Sequence, residues 1–165
     1  MAGPTSEIST MMTEPSRPRK LFTVEQANAS LPLVRAITTD LVRLSREVIE
    51  RRERLVLLSA GRNASAKDPY TEELVQIEEE LDKDSAQLRA YVDELHALGV
   101  EPKSGPEGLI DFPSLMDERL VYLCWKLGEA EVLHWHAVDA GFSGRHSLIA
   151  GSIAQDASLP QDDSL

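Results

Sequence analysis

Two stretches, VRAITTDLVRLSREVIERRERLVLL at 34–58 and LVQIEEELDKDSAQLRAYVDELHAL at 74–98, decide the fold. In the first, apolar residues recur at Val34, Ile37, Leu41, Leu44, Val48, Leu55 and Leu58, with Arg51 the one charged break. In the second they recur at Leu74, Ile77, Leu81, Leu88, Tyr91, Leu95 and Leu98, broken only by Asp84. Steps alternating between three and four residues put one apolar seam along each helix, as in a coiled coil. The connection is short, so the helices should pair antiparallel. The register that satisfies both seams faces Val34 with Leu98, Ile37 with Leu95, Leu44 with Leu88 and Leu58 with Leu74. It also puts Arg51 and Asp84 in adjacent layers, about 5 Å apart along the axis. A paired charge of this kind serves register more than stability.

Signals at the ends agree. Thr23 followed by Gln26 fits a capping box at the start of the ordered region. Pro32 predicts either a kink or the start of a new helix after about Ser30. Gly61 is a plausible stop for the first long helix, Asp68-Pro69 a start for the second, and Leu98-Gly99-Val100 its end. The first helix carries a surplus apolar stripe at Val42, Ile49 and Val56, with Leu57 beside it. A stripe of this kind needs cover, so the first helix should lie between the second and either the β segment or another subunit.

Residues 101–108 read as a Pro/Gly-rich loop. Leu109–Phe112 reads as a short strand ended by Pro113, Leu115–Glu118 as a turn, and Leu120–Leu127 as a strong strand. A three-residue turn at Gly128-Glu129-Ala130 would return the chain through Glu131–Ala137. In that register Leu123, Trp125, Leu127, Leu133 and Trp135 share an apolar face for the first helix. Tyr122, Cys124, Lys126, His134 and His136 share the other. The whole predicts an α+β protein: a long, coiled-coil-like antiparallel helical hairpin over 23–98, with a small antiparallel β module over 109–148 packed on helix one. Residues 1–19, whose Arg17, Arg19 and Lys20 end forms a small basic cluster, read as a disordered arm; 151–165 read as a disordered acidic tail. One domain spans about 20–150.

The 165 residues carry a formal net charge of −11 and a single cysteine. That charge argues against a nucleic-acid partner, which needs clustered Lys and Arg. No run approaches the ~18 apolar residues of a membrane span, and no secretory signal is apparent. With one cysteine, the cytoplasm is the expected location.

The unusual chemistry sits at 121–145. Cys124, His134 and His136 are candidate ligands for a transition metal such as zinc or iron, with Asp111, Asp139 or His146 available as a further ligand. Taken alone, Cys124 reads as a small buried apolar residue, and His136 lacks a nameable triad partner. Gly141 and Gly144 with Arg145 form a second candidate, an anion-binding turn that His136 and Tyr122 could join.

Three segments carry a resemblance: FTVEQANASLP at 22–32, GLIDFPSLMDERLVYLCWKLGE at 108–129 and LHWHAVDAGFSGR at 133–145. They resemble DUF2203, a prokaryotic family of uncharacterised proteins, over about 21–148. The resemblance implies no reaction. Members often carry tyrosine at the place of His134, which leaves Cys124, His136 and Arg145 as the better candidate site residues. Two readings follow. One is an interaction or scaffold protein that forms a homo-oligomer through its hairpin. The other is a metal- or anion-binding protein, whether or not an enzyme, with its site on the β module.

Overall fold

The computed structural model describes residues 20–60 and 69–148. Helix α1 spans Val24–Ser59 and α2 spans Thr71–Ala97; the two pack against each other. Strands β1 (Glu101–Ser104), β2 (Leu109–Met116), β3 (Arg119–Lys126), β4 (His134–Ala137) and β5 (His146–Ser147) follow. They form one antiparallel sheet in chain order. The α+β architecture is as expected from the sequence. No helix among the described residues is long and apolar enough to cross a membrane.

The capping box forms: Thr23 Oγ1 accepts from the Gln26 amide, and Gln26 Oε1 accepts from the Thr23 amide. Of the two outcomes expected at Pro32, a new helix does not occur: α1 is one helix from Val24 to Ser59 with Pro32 inside it. Ala27, Leu31 and Val34 are all buried in the core on one stripe. Their packing offsets the ~3 kcal/mol that an interior proline costs a helix. Gly61 and Asp68, the expected stop and cap, lie outside the described residues, as do Arg17 and Arg19; α2 begins at Thr71, and Tyr70 at its N-cap position makes no side-chain capping bond. Its end is as expected. Gly99 is left-handed, its amide donates to the His96 carbonyl, and the Val100 amide donates to that of Leu95. Val100 then packs back into the core beside Leu95.

Arg51 pairs with Asp84 and lies 3.6 Å from Glu80. Those two residues flank Leu81, which the sequence register places opposite Arg51. The seam residues Leu44, Leu55, Leu74, Leu81 and Leu88 are only half-buried, because a two-helix seam is open to water along both sides.

The sheet covers the other face of α1, but only its N-terminal part. Ile110, Phe112, Leu123 and Trp125 join Leu31, Val34, Ile37 and Leu41 in one core. Three polar ties hold the layers: Val132 N–H donates to Asn28 Oδ1 at 2.7 Å, Arg35 to the Ala130 carbonyl at 3.1 Å, and Arg46 to that of Pro106 at 3.2 Å. Of the surplus stripe, Val42 is buried, while Ile49, Val56 and Leu57 lie exposed. α2 is the outer helix, with only Ile77 and Leu95 fully buried.

Gly108 fixes how closely the sheet approaches α1. Its φ is +67°, and a Cβ there would stand 2.7 Å from the Leu127 Cβ and 3.0 Å from Val42 Cγ2. Gly108→Ala therefore adds left-handed strain to overpacking and should cost at least ~2 kcal/mol in urea unfolding. Wild-type stability of that variant would mean the layers can separate freely.

Two strand expectations change. Residues 101–104, read as loop, form an edge strand with a bulge between Pro102 and Ser104. Pro113 does not end β2, which continues to Met116. The Pro113 carbonyl accepts from the Phe22 amide at 2.7 Å, so that edge faces away from β3. In a strand, the N–H and C=O of one residue point to the same edge. The missing N–H therefore removes no bond of the β2–β3 ladder. Asp117 and Glu118, both at positive φ, make a two-residue turn into β3.

Candidate metal centre

Pleating sorts the chemistry. Ile110, Phe112, Leu123 and Trp125 point towards α1, which leaves their neighbours Asp111, Tyr122 and Cys124 on the opposite face. The β3–β4 pairing matches Tyr122 with His136, Leu123 with Trp135 and Cys124 with His134. This is the face assignment expected from the sequence. The turn itself is wider than expected, because pairing stops at His134 and residues 127–133 form a loop.

Asp111 and Cys124 are direct cross-strand partners, and His136 reaches the same spot from the far side of β3. One ligand atom from each of Asp111, Cys124 and His136 lies within 4.8 Å of the others, and all three residues are buried. His136 Nδ1 is 2.8 Å from the Ala137 carbonyl oxygen. A carbonyl can only accept, so Nδ1 carries a proton and Nε2 is directed at Asp111 Oδ2, 2.9 Å away. Fixing Nδ1–H on a backbone carbonyl is the usual way to orient an imidazole whose Nε2 binds a metal.

Burial dominates the electrostatics. It raises the Asp111 carboxyl above its ordinary range, with the neighbouring His136 working against the shift. It pushes the Cys124 thiol up to about 11; the Asp111 charge adds to the rise, and the Arg145 guanidinium partly offsets it. Without a cation, two acids are thus held where their ionised forms are disfavoured. A divalent ion reverses that preference by pairing with both.

A cavity of about 260 Å³ opens beside the three residues. Its walls include Lys103 of β1, Leu109, Tyr122, Val138, Asp139 and Phe142. The Lys103 ammonium sits 5.2 Å from the Tyr122 ring centre and 3.0 Å from Glu101 Oε2. Burial opposes its charge, yet the Glu101 hydrogen bond and charge hold its pKa above the usual value.

The other sequence candidates are placed differently. His134 turns towards Glu129: its Nδ1 is 3.3 Å from Glu129 Oε2, misaligned for a hydrogen bond. Arg145 is gripped by Glu129 at 2.9 and 3.3 Å and stacks on Phe142. The Gly144 amide donates to the Gly141 carbonyl within a single 3-10 turn at Phe142–Gly144. Gly141 lines the cavity; Gly144 and Arg145 do not.

Sequence reading offered Asp111 only as one of three further ligands, and missed Lys103 and Glu129. Lys103 fell in a presumed loop. Glu129 fell in a presumed turn, yet it holds Arg145, accepts from the Lys126 amide at 2.8 Å and, through its carbonyl, receives the Trp125 indole N–H at 2.9 Å.

The profile of a family described as an uncharacterized conserved protein, DUF2203, matches residues 20–148. The chain belongs to the DUF2203 family. The matched span takes in both helices and the whole sheet, so the Asp111–Cys124–His136 cluster lies within the family domain. No curated protein and no solved structure matches this DUF2203 chain.

Proposed function

We propose that this protein binds one transition-metal ion, zinc foremost, through Asp111, Cys124 and His136, and that the ion keeps an open position towards the cavity. The observation that carries this reading is the convergence of three different ligand types within 4.8 Å of one another on a buried sheet face. Thiolate, imidazole and carboxylate together suit zinc, and three protein ligands with a fourth open position are typical of reactive rather than structural zinc. Zinc needs bonds of about 2.0–2.1 Å to nitrogen and oxygen. The His136–Asp111 contact would have to open by only a few tenths of an ångström to admit it. The ion would supply Lewis acidity at the cavity floor, and the residues of this chain would hold and orient it.

Elemental analysis of the purified protein should give one equivalent of metal per chain. Cobalt(II) added to the metal-free protein should give a thiolate charge-transfer band. His136→Ala and Cys124→Ser should each lose the stoichiometric metal, and the latter the band. A metal-free preparation that takes up neither zinc nor cobalt would refute the reading.

Self-association through the hairpin is the second reading. One observation favours it: beyond the edge of the sheet, Val56 and Leu57 of α1 are 68% and 75% exposed, and Ile49 and Val75 are exposed as well. Light scattering should then show a mass above that of one chain, reduced in Val56→Ser/Leu57→Ser. A single-chain mass at every concentration tested would remove this reading and leave the metal centre untouched.

A further inference from the structure

We propose that the cavity over the metal centre takes a short-chain carboxylate, with its carboxylate shared between the open metal position and Lys103 and its alkyl chain against Leu109, Val138 and Phe142. The inference rests on the metal reading above and adds the ligand class. A volume of about 260 Å³ lies below the ~300–1,000 Å³ of pockets that hold drug-sized ligands, which suits a small ligand. Leu109, Val138, Ala140 and Phe142 make much of the wall apolar, and Lys103 is the one cationic residue among those lining it. An ammonium has three N–H donors. Glu101 takes one of them, at 3.0 Å, and leaves others for a ligand oxygen. Asp139 also lines the cavity but is exposed, so water screens its charge.

The same observations disfavour a phosphate. A tetrahedral dianion wants several convergent donors, from a guanidinium or a nest of backbone amides. Here Arg145 is held on both arms by Glu129, and the Gly144 amide is spent on the Gly141 carbonyl. One lysine with one metal position matches the two oxygens of a carboxylate. The apolar walls then distinguish a short alkyl acid from formate.

The test uses the full chain loaded with cobalt(II) and titrated with formate, acetate, propionate and butyrate, with phosphate and neutral butyramide as comparators. The visible cobalt spectrum is the readout. Saturable changes are expected with the carboxylates, tightening about fourfold per buried methylene until the cavity is full. Lys103→Met should bind cobalt at the wild-type stoichiometry but weaken butyrate at least about tenfold, the usual worth of a hydrogen bond to a charged group. The proposal is overturned if cobalt is bound and the carboxylates leave its spectrum unchanged. It is also overturned if phosphate or butyramide binds as tightly as butyrate, or if Lys103→Met binds butyrate like the wild type. Failure to load cobalt at all is a separate result, one that removes the metal reading itself.

Discussion

Trp125→Ala is expected to lose ~3–5 kcal/mol of unfolding free energy, the upper range for deleting a buried aromatic, and Trp135→Ala clearly less. Trp125 has no exposed surface. It packs in the core beneath α1, with the Arg35 guanidinium 5.8 Å from its ring centre. Its indole N–H donates to the Glu129 carbonyl at 2.9 Å, so the alanine variant also strips a partner from the loop that grips Arg145. Trp135 shares the α1-facing side of the sheet, but β4 lies near the sheet's edge. It is half-buried, tilted against His146 at 4.8 Å between ring centres. From sequence the two indoles carry equal weight; the structure makes them unequal. Guanidinium unfolding followed by circular dichroism measures both. Equal losses would show that the edge of the sheet is as tightly packed as its centre.

The helical hairpin was legible because a seam is a local property: alternating steps of three and four fix one face, and the faces of two neighbouring helices fix the register. Arg51 and Asp84 were recognisable as partners because each breaks an otherwise uninterrupted seam, and they do pair. The faces of the β3–β4 pair were legible for the same reason, since a period of two separates Trp125 from Cys124. What the sequence hid was non-local. Pro113 reads as a strand end unless Phe22, far upstream in the chain, is known to take the free edge. Glu101–Ser104 has the residues of a loop and becomes a strand only because β2 offers an edge to pair with. Asp111 and Cys124 are brought opposite each other by the register of the β2–β3 hairpin. That register depends on β2 continuing through Pro113 to the turn at Asp117 and Glu118. With β2 cut short at Phe112, Asp111 was one acid among several.

The same Asp111 should separate stability from binding. Burial holds its carboxyl above the ordinary range, so the native state binds the proton more tightly than the unfolded chain does. The stabilising contribution is then fully present below the unfolded value, near 3.8, and is lost as pH rises through the folded value. At neutral pH and without metal, the carboxylate works against folding. Asparagine has the same shape without the charge, and its amide can donate to His136 Nε2. Metal-free Asp111→Asn should therefore be at least as stable as the wild type at pH 7. Many other carboxylates shape each curve, but the difference between the two isolates this one, and it should turn against the wild type as pH rises from the acid range. Zinc should reverse the order. A ligand present at a thousand times its dissociation constant stabilises the native state by about 4.1 kcal/mol. The wild type should gain that amount, and Asp111→Asn, lacking an anionic ligand, far less. Urea unfolding with chelator and with zinc, for both proteins, gives the four numbers. A metal-free Asp111→Asn that is markedly weaker than the wild type would make Asp111 a structural group first. An equal gain from zinc in both proteins would place the ion elsewhere. The expected pattern is a buried acid kept at a cost to the empty protein because a cation is meant to sit beside it.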